Sequence, residues 1–507
     1  MGRRKQIKWG AFLSYGMIAF NFIVGLLYTP WMVGCIGKSG YGLYSLVTTF
    51  LSYFVVDFGL WMAVNKIISR LRAENNAEEE KKVLGVTARI YLGLDLLVLA
   101  TVITVFFFID NIFIKLTPEE LVHFKVVYII AALFSVLSFP FGFIKGVYNA
   151  HEYYIEGKLF DLAVRLGIIL FTVIVLMLGG GLYALVFCYG LVPFLVNIGR
   201  VAYLSYRGIR ADIKAWNGTT AKEIFSVSGW LFLVVLAELF INNISPTLIA
   251  TFSGTSEIAV FSIGLVIYSY VYHFASSIAG LFLPKVTELH VQGREEDIHL
   301  LARKVGRIQL FITGFVALGV ILVGKDFFAA WMGPDFSRSY FVSVMLIVPQ
   351  VLFFLRQIES SYLLAADKIR YQSYCMILTA ISSVISSIIL IPQMGAIGSA
   401  IGISCSNFIF MFMGTNYIYY KYLHFSLFSF LKSIGPIIIG FLMVSGAFFL
   451  LIYHIENIIP QNDWMRLIVK ICILGIIYLC SLPFIMNVEE KNMSKQIIKK
   501  IIHVNHH

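Results

Sequence analysis

The chain of 507 residues is 59% apolar and only 13% charged, with a mean hydropathy of +0.84. Soluble domains carry about 25% charged residues, so this composition excludes an ordinary soluble globular protein. The net charge of +11 would suit a nucleic-acid binder, but the basic residues are placed as membrane topology places them, and we expect no nucleic-acid partner.

Long apolar runs separated by short polar segments predict an all-α, polytopic membrane protein. A membrane helix needs about 20 apolar residues, and the backbone within lipid must pair within its own segment. The pattern predicts about fourteen spans, at residues 9–33, 41–63, 88–109, 126–147, 159–179, 181–205, 224–251, 257–283, 308–324, 340–365, 371–393, 395–420, 432–454 and 464–487.

The first two spans begin an internal repeat. Residues 9–71 start basic, continue as two apolar runs around a glycine turn and end basic, and residues 226–288 repeat that order. Gly37 matches Gly254 and Ser45 matches Ser262, both at a separation of 217 residues. A fixed-period repeat of this kind indicates a duplicated unit of about 215 residues.

The duplication predicts two six-helix lobes related by a pseudo-twofold axis. We place the lobes at residues 1–215 and 216–425, followed by two additional helices and a basic tail in residues 426–507. In membrane transporters such repeats enclose a shared cavity.

Lysine and arginine predict the orientation. With the N-terminus in the cytoplasm, 30 basic residues fall in cytoplasmic segments, 6 in external loops and 3 within spans. This bias predicts a cytoplasmic-membrane protein with both termini in the cytoplasm. The six cysteines form no CxxC pair, so we expect no metal site, and nothing in the pattern calls for a cofactor or catalytic residues.

Ionisable residues within apolar spans are functional candidates, because each costs roughly 2.5–3.5 kcal/mol at the centre of a helix. Asp161 and Arg165 are four residues apart, and Arg356 and Glu359 three. Each pair shares a helix face. One interpretation is a structural ion pair, and the other is that the arginines bind an anionic headgroup, whose oxygens suit a guanidinium fork.

Further candidates are suited to ion coupling. Glu238 has no helical partner and matches the polar Asn21 of the first repeat, so we expect both to face the cleft between the lobes. Asp57, Asp95 and His273 also lie within spans, and histidine titrates in a range that suits proton coupling. The alternatives are a protonated, hydrogen-bonded carboxyl for Glu238, a packed ring for His273, and helix-end or interhelical hydrogen bonds for Asp57 and Asp95.

A series of short motifs carries a resemblance that covers nearly the whole length. They are GKSGYGLY at residues 37–44, DFGL at 57–60, LPKV at 283–286, WMGP at 331–334, GAIG at 395–398 and NYIYYK at 416–421. In this order, and with fourteen spans, the chain resembles the polysaccharide transporters of the MOP superfamily, specifically Wzx-type O-antigen and oligosaccharide flippases.

The resemblance implies a two-lobed, ion- or proton-coupled transporter that works by alternating access. Its substrate would be an undecaprenyl-pyrophosphate-linked oligosaccharide, moved from the cytoplasmic to the outer leaflet. Cavity arginines bind the pyrophosphate in such proteins, so Arg165 and Arg356 are the candidates, with Asn21 as a further substrate ligand. Membrane lipids and the polysaccharide polymerase machinery are the expected partners, and a monomer is the expected state.

Two other functions stay open at this stage. A multidrug or cation antiporter of the same superfamily is favoured by the excess of acids over bases within the spans and disfavoured by the last two spans. A membrane polymerase or ligase is disfavoured by the short external loops and by the lack of a polar catalytic cluster.

Overall fold

A computed structural model describes residues 3–53, 59–279, 282–455 and 462–492 of the chain. These residues contain no strand, which confirms the all-helical prediction. The α-helices are α1 Arg3–Ser52, α2 Leu60–Ala73, α3 Ala77–Ile112, α4 Pro118–Ser138, α5 Ile144–Ala150, α6 Tyr154–Met177, α7 Leu182–Tyr206, α8 Gly218–Phe252, α9 Thr255–Ala279, α10 Leu283–Val291, α11 Glu295–Gln309, α12 Phe315–Met332, α13 Ser339–Phe354, α14 Gln357–Ala365, α15 Ile369–Met394, α16 Ala396–Ser406, α17 Thr415–Leu423, α18 Leu427–Ile455 and α19 Asp463–Ile485.

Within the described residues, 13 helical segments are long and apolar enough to cross a membrane. The first of them runs through Gly37, whose φ of 75° and ψ of 169° are not helical. Gly37 therefore divides α1 into two arms, which correspond to the first predicted span and the start of the second. Counted this way, the structure agrees with the prediction of about fourteen spans.

The glycine turns of the two repeats have matching backbone conformations. Gly37 and Gly254 both have positive φ, 75° and 89°, a region that residues with a Cβ rarely adopt. Gly254 separates α8 from α9 as Gly37 separates the arms of α1. The glycines singled out by the repeat are thus the residues at which the chain turns.

One compact unit consists of Met1–Ser262 together with Met376–Ser406. An aromatic cluster lies in its interior, where the ring of Phe50 contacts Phe113, Phe124 and Tyr128 at centroid distances of 5.5, 6.2 and 6.0 Å. Large buried rings of this kind contribute much of the apolar burial of a core.

The second compact unit consists of Ile263–Cys375 together with Asn407–His507. Its α18 and α19 pack against α12, where the rings of Phe315 and Tyr478 stack at 4.2 Å. Both units divide the chain at positions other than the predicted lobe boundaries, and the division at residues 215 and 425 stays a prediction.

Candidate functional site

Arg165 lies on the inward side of α6 and is nevertheless exposed. At about 100° per residue, it shares a face with Thr172 and Leu176, which are 1% and 7% exposed. Leu166 and Leu170, at 45% and 58% exposure, lie on another side of the helix. Arg165 makes no hydrogen bond or ion pair within the described residues. An unpaired guanidinium thus lies on the face of α6 that packs against protein.

The first arm of α1 presents polar groups to the same region. Asn21 is half-buried, and by helical spacing it shares a face with Tyr28 and with Met32, which is 4% exposed. The hydroxyl of Tyr28 interacts with Thr172 of α6. Arg165 in turn interacts electrostatically with a tyrosine on the second arm of α1, Tyr44.

Glu238 has a similar position on α8. Glu238 is exposed, although it shares a helix face with Ser245 and Ile249, which are both 0% exposed. The exposed Asn242 lies one turn further along the same face. Glu238 makes no ion pair within the described part of the chain. A carboxyl and an amide therefore face inward from the middle of α8 without a charged partner.

The other predicted ion-coupling residues are placed differently. Asp95 on α3 is half-buried, and its Oδ1 is buried without a hydrogen-bond partner among the described residues. His273 on α9 is exposed, its ring is 5.7 Å from that of Tyr272, and it belongs to the second unit. Asp57 lies outside the described residues.

Asp161 does form an ion pair, but its partner corrects the prediction. Its Oδ1 is 2.6 Å from Nη2 of Arg200 on α7, and its Oδ2 is 3.5 Å from Lys158. The i,i+4 pair expected with Arg165 is absent from the described residues, because Arg200 reaches Asp161 from the neighbouring helix. This pairing leaves the charge of Arg165 available.

Arg356 and Glu359 form the predicted i,i+3 ion pair at 3.0 Å, and each side chain is 1% exposed. The guanidinium lies over the rings of Tyr419, Phe425 and Phe430, at 5.5, 5.9 and 4.5 Å from their centroids. A side chain enclosed in this way has no open surface toward a ligand. The headgroup role predicted for Arg356 stays untested, and its geometry is that of a structural ion pair.

The repeated turns contact each other through α1, α8 and α9. Ser39 and Thr255 share a hydrogen bond of 3.0 Å, and both hydroxyls contact the carboxylate of Glu120 at the start of α4. A Cβ added to Gly42 would lie 2.2 Å from the carbonyl oxygen of Thr255. The glycine is therefore required for the close approach of the two backbones.

Sequence reasoning did not find this contact, although two signals for it are present. Gly42 belongs to the glycine-rich turn after Gly37, and Glu120 lies in a capping box with Thr117. Lys470, which lies within the predicted span 464–487, is paired with Asp326 at 2.6 Å.

Comparison with known proteins places the chain in a family. The family model described as "Polysaccharide biosynthesis protein" matches residues 8–290. A relative, the capsular polysaccharide biosynthesis protein CapF of Staphylococcus aureus, is 25% identical over 149 residues, which are 29% of this chain and 37% of that protein. The matched segment thus spans little more than a third of that relative.

Solved structures show the same fold at low sequence identity. The lipid II flippase MurJ in an inward closed conformation has a TM-score of 0.71 and 15% identity, and the match covers 93% of this chain and 97% of that one. An inward-facing MATE-family multidrug transporter of the MOP superfamily has a TM-score of 0.56 and 17% identity, with 77% and 95% covered. A MOP superfamily transporter from Pyrococcus furiosus has a TM-score of 0.56 and 16% identity, with 84% and 98% covered.

These matches confirm the resemblance found in the sequence, because the family model describes polysaccharide biosynthesis proteins and the fold is shared with solved transporter structures. The fold, with 13 apolar helices among the described residues, resembles that of the MurJ and MATE structures. Because the family model covers more than half of its length, the chain belongs to the polysaccharide biosynthesis protein family.

Proposed function

We propose that the protein is a flippase that moves undecaprenyl-pyrophosphate-linked oligosaccharide from the cytoplasmic to the outer leaflet by alternating access. The observation that carries this proposal is Arg165, a guanidinium without an ionic partner on the inward face of a membrane helix. An uncompensated cation at such a position is costly, and it is expected where an anion binds. A pyrophosphate offers several oxygens to the guanidinium fork.

The surroundings of Arg165 support an anion site. In the predicted topology α6 and the first arm of α1 cross the membrane in the same direction. Tyr28 interacts with Thr172. Asn21 lies seven residues before Tyr28, and Arg165 lies seven residues before Thr172. Equal steps along parallel helices bring Asn21 and Arg165 to the same depth. The amide of Asn21 would then add a hydrogen-bond donor beside the guanidinium.

Ion coupling is assigned in this proposal to Glu238. It is an inward-facing carboxyl without an ion pair, and the amide of Asn242 follows it on the same face. A carboxyl of this kind binds a proton or a monovalent cation when the cavity opens to the side with the higher ion concentration. Asp95, with one buried and unbonded oxygen, is the second candidate for this role, and Asp57 and His273 are further candidates.

The predicted lobes, orientation and partners belong to the same proposal. The lobes at residues 1–215 and 216–425 would enclose the cavity, while residues 426–507 add two helices and the tail. Both termini face the cytoplasm. The protein acts as a monomer in the cytoplasmic membrane and delivers its product to the polysaccharide polymerase machinery.

The test is a set of arginine variants in cells that depend on this protein for surface polysaccharide. Arg165→Ala is expected to stop export and to leave lipid-linked oligosaccharide in the cytoplasmic leaflet, since each hydrogen bond to a charged group is worth roughly 1.5–3 kcal/mol. Arg165→Lys keeps the charge and loses the fork, so we expect partial export. Arg210→Ala, which removes an exposed arginine outside the membrane helices, is the matched control. Unchanged export in Arg165→Ala would exclude Arg165 as the headgroup ligand.

A second candidate function is a multidrug or cation antiporter. The unpaired carboxyls of Glu238 and Asp95 favour it, because carboxylates bind organic cations, and the MATE-family transporter has a similar fold. Overexpression separates the two functions. An antiporter raises resistance to cationic drugs, whereas a flippase restores surface polysaccharide and leaves drug resistance unchanged.

A further inference from the structure

We infer that a polar cleft between α2 and α5 binds the sugars of the lipid-linked oligosaccharide, as a recognition site separate from Arg165. The cleft has a volume of about 630 Å³, which is within the usual range for small-molecule sites. It lies entirely within the first compact unit. The inference rests on the proposed function, because it assigns the part of the protein that recognises the glycan.

The close approach of α2 and α5 forms the cleft. A Cβ added to Gly146 would lie 2.3 Å from the carbonyl oxygen of Trp61 and 3.3 Å from the backbone nitrogen of Asn65. Gly146 therefore lets the two backbones touch. Asn65 and Asn149, which both line the cleft, extend from the two helices just beyond this contact.

Several polar groups in the cleft have no protein partner. Asn65, Asn149 and Tyr154 are among the residues that line it. Ser69 donates a hydrogen bond of 3.4 Å to Oδ1 of Asn65, but the amide nitrogen of Asn65, the amide of Asn149 and the hydroxyl of Tyr154 make no hydrogen bond within the described residues. Amides and hydroxyls both donate and accept, as sugar hydroxyl groups do.

The charges of the cleft favour a neutral ligand over a pyrophosphate. Arg72 donates a hydrogen bond to the carbonyl oxygen of Ala150, and Glu152 lines the same cleft with the opposite charge. These two lining charges have opposite signs and offset each other, and the nearby ammonium of Lys145 lies over the ring of Trp61, outside the lining of the cleft. The anionic headgroup is thus better bound at Arg165, and the cleft suits uncharged sugar rings.

An aromatic ring extends the same two helix faces. Trp61 lies one helical turn before Asn65 on α2, and Lys145 lies one helical turn before Asn149 on α5. Nζ of Lys145 is 4.5 Å from the centroid of the Trp61 ring. A half-buried indole held in place by a cation presents a surface on which a sugar ring can pack. The Trp61 ring therefore offers a packing surface beside the cleft.

The experiment measures binding of three lipids to the purified full-length protein in nanodiscs. The probes are undecaprenyl pyrophosphate alone, the same lipid with one sugar, and lipid-linked oligosaccharide extracted from the producing cells. The variants are Asn65→Ala/Asn149→Ala and Tyr154→Phe, and Asn111→Ala, which removes an exposed amide from α3 outside the cleft, is the control. Monodisperse elution of each variant establishes that it is folded.

We expect the double variant to bind the oligosaccharide lipid about tenfold more weakly, as the loss of two hydrogen bonds implies. Its affinity for undecaprenyl pyrophosphate alone should stay within about twofold, as should all affinities of Asn111→Ala. Equal weakening for all three lipids, or unchanged oligosaccharide binding, would overturn the sugar cleft while leaving the flippase proposal in place. A wild-type protein that binds none of the three would overturn both.

Discussion

Ser45 and Ser262 share a hydrogen bond with their Oγ atoms 2.6 Å apart, and they occupy equivalent positions of the two repeats, at a separation of 217 residues. Equivalent residues of repeated segments contact each other where a local twofold axis passes between them, as in an isologous interface. The bond therefore lies where the predicted axis would pass, between the second arm of α1 and α9. In the proposed alternating-access cycle, such a contact would open once in each turnover.

A disulfide at this position should stop transport. In a background without the native cysteines, Ser45→Cys/Ser262→Cys places two thiols where the oxygens are 2.6 Å apart, near the roughly 2.05 Å of an S–S bond. We expect rapid crosslinking under mild oxidation, loss of export, and recovery when a reductant is added. Each single-cysteine variant is the control. Continued export by the fully crosslinked protein would show that this contact stays closed throughout the cycle.

The glycine at 42 allows a direct test of the same contact. Gly42→Ala places a Cβ 2.2 Å from the carbonyl oxygen of Thr255, whereas Gly34→Ala on the other arm of α1 meets no atom within 4 Å. Both changes raise helix propensity by about 1 kcal/mol, so only the steric effect differs. We expect Gly42→Ala alone to increase labelling of Ser45→Cys by a membrane-impermeant maleimide. Equal labelling in the two variants would mean that the second arm of α1 and the start of α9 accommodate the added methyl group without a change in their contact.

The sequence allowed prediction of the membrane helices and of the chain turns at Gly37 and Gly254, because these depend on hydropathy and on glycines that adopt positive φ. It also allowed prediction of the local pair between Arg356 and Glu359. It did not allow prediction of Arg200 as the partner of Asp161, because the two residues are 39 positions apart and only the packing of α6 on α7 brings them together. For the same reason the sugar cleft was missed, since Gly146 reveals its role only when α5 lies against α2.

Arg356 and Glu359 form a buried ion pair at the start of α14. Substitution of Arg356 is therefore expected to reduce the stability of the protein rather than its binding of substrate. Removing one partner of a buried ion pair typically costs 3–5 kcal/mol, so Arg356→Ala should lower the thermal midpoint of the detergent-solubilised protein strongly. Arg370→Ala is the matched control, because this exposed arginine packs on the ring of its neighbour Tyr371 and donates a hydrogen bond to that hydroxyl. Arg356→Met/Glu359→Leu should recover most of the stability.

These variants also decide the role of Arg356. If the apolar double variant exports polysaccharide normally, the guanidinium is structural. If Arg356→Ala is as stable as the wild type and still fails to export, the headgroup role predicted from the sequence is correct and the enclosed position of the side chain represents one state of the transport cycle.

Glu238 should be required for the response to an ion gradient. In proteoliposomes that contain lipid-linked oligosaccharide, Glu238→Gln removes the ionisable group and keeps the shape of the side chain. We expect transport driven by an imposed proton or sodium gradient to fall at least tenfold, while exchange without a gradient continues. Glu119→Gln, at a side chain that is 87% exposed, should respond to the gradient as the wild type does. A normal gradient response in Glu238→Gln would transfer the coupling role to Asp95 or His273.

Two adjacent glutamates after α19 offer a last test of how burial determines the contribution of an ion pair to the free energy of unfolding. Glu490 forms a two-pronged pair with Arg307, at 2.6 and 2.9 Å, with side chains that are 8% and 10% exposed. Its neighbour Glu489 pairs with Lys304 at 3.4 Å, with side chains that are 76% and 46% exposed. Glu490→Ala leaves the buried guanidinium without its carboxylate, so we expect a loss of about 3–5 kcal/mol. Glu489→Ala should cost at most about 1 kcal/mol. Thermal unfolding of the two variants compares them directly, and equal midpoints would show that the segment after α19 is not held to α11 by Arg307.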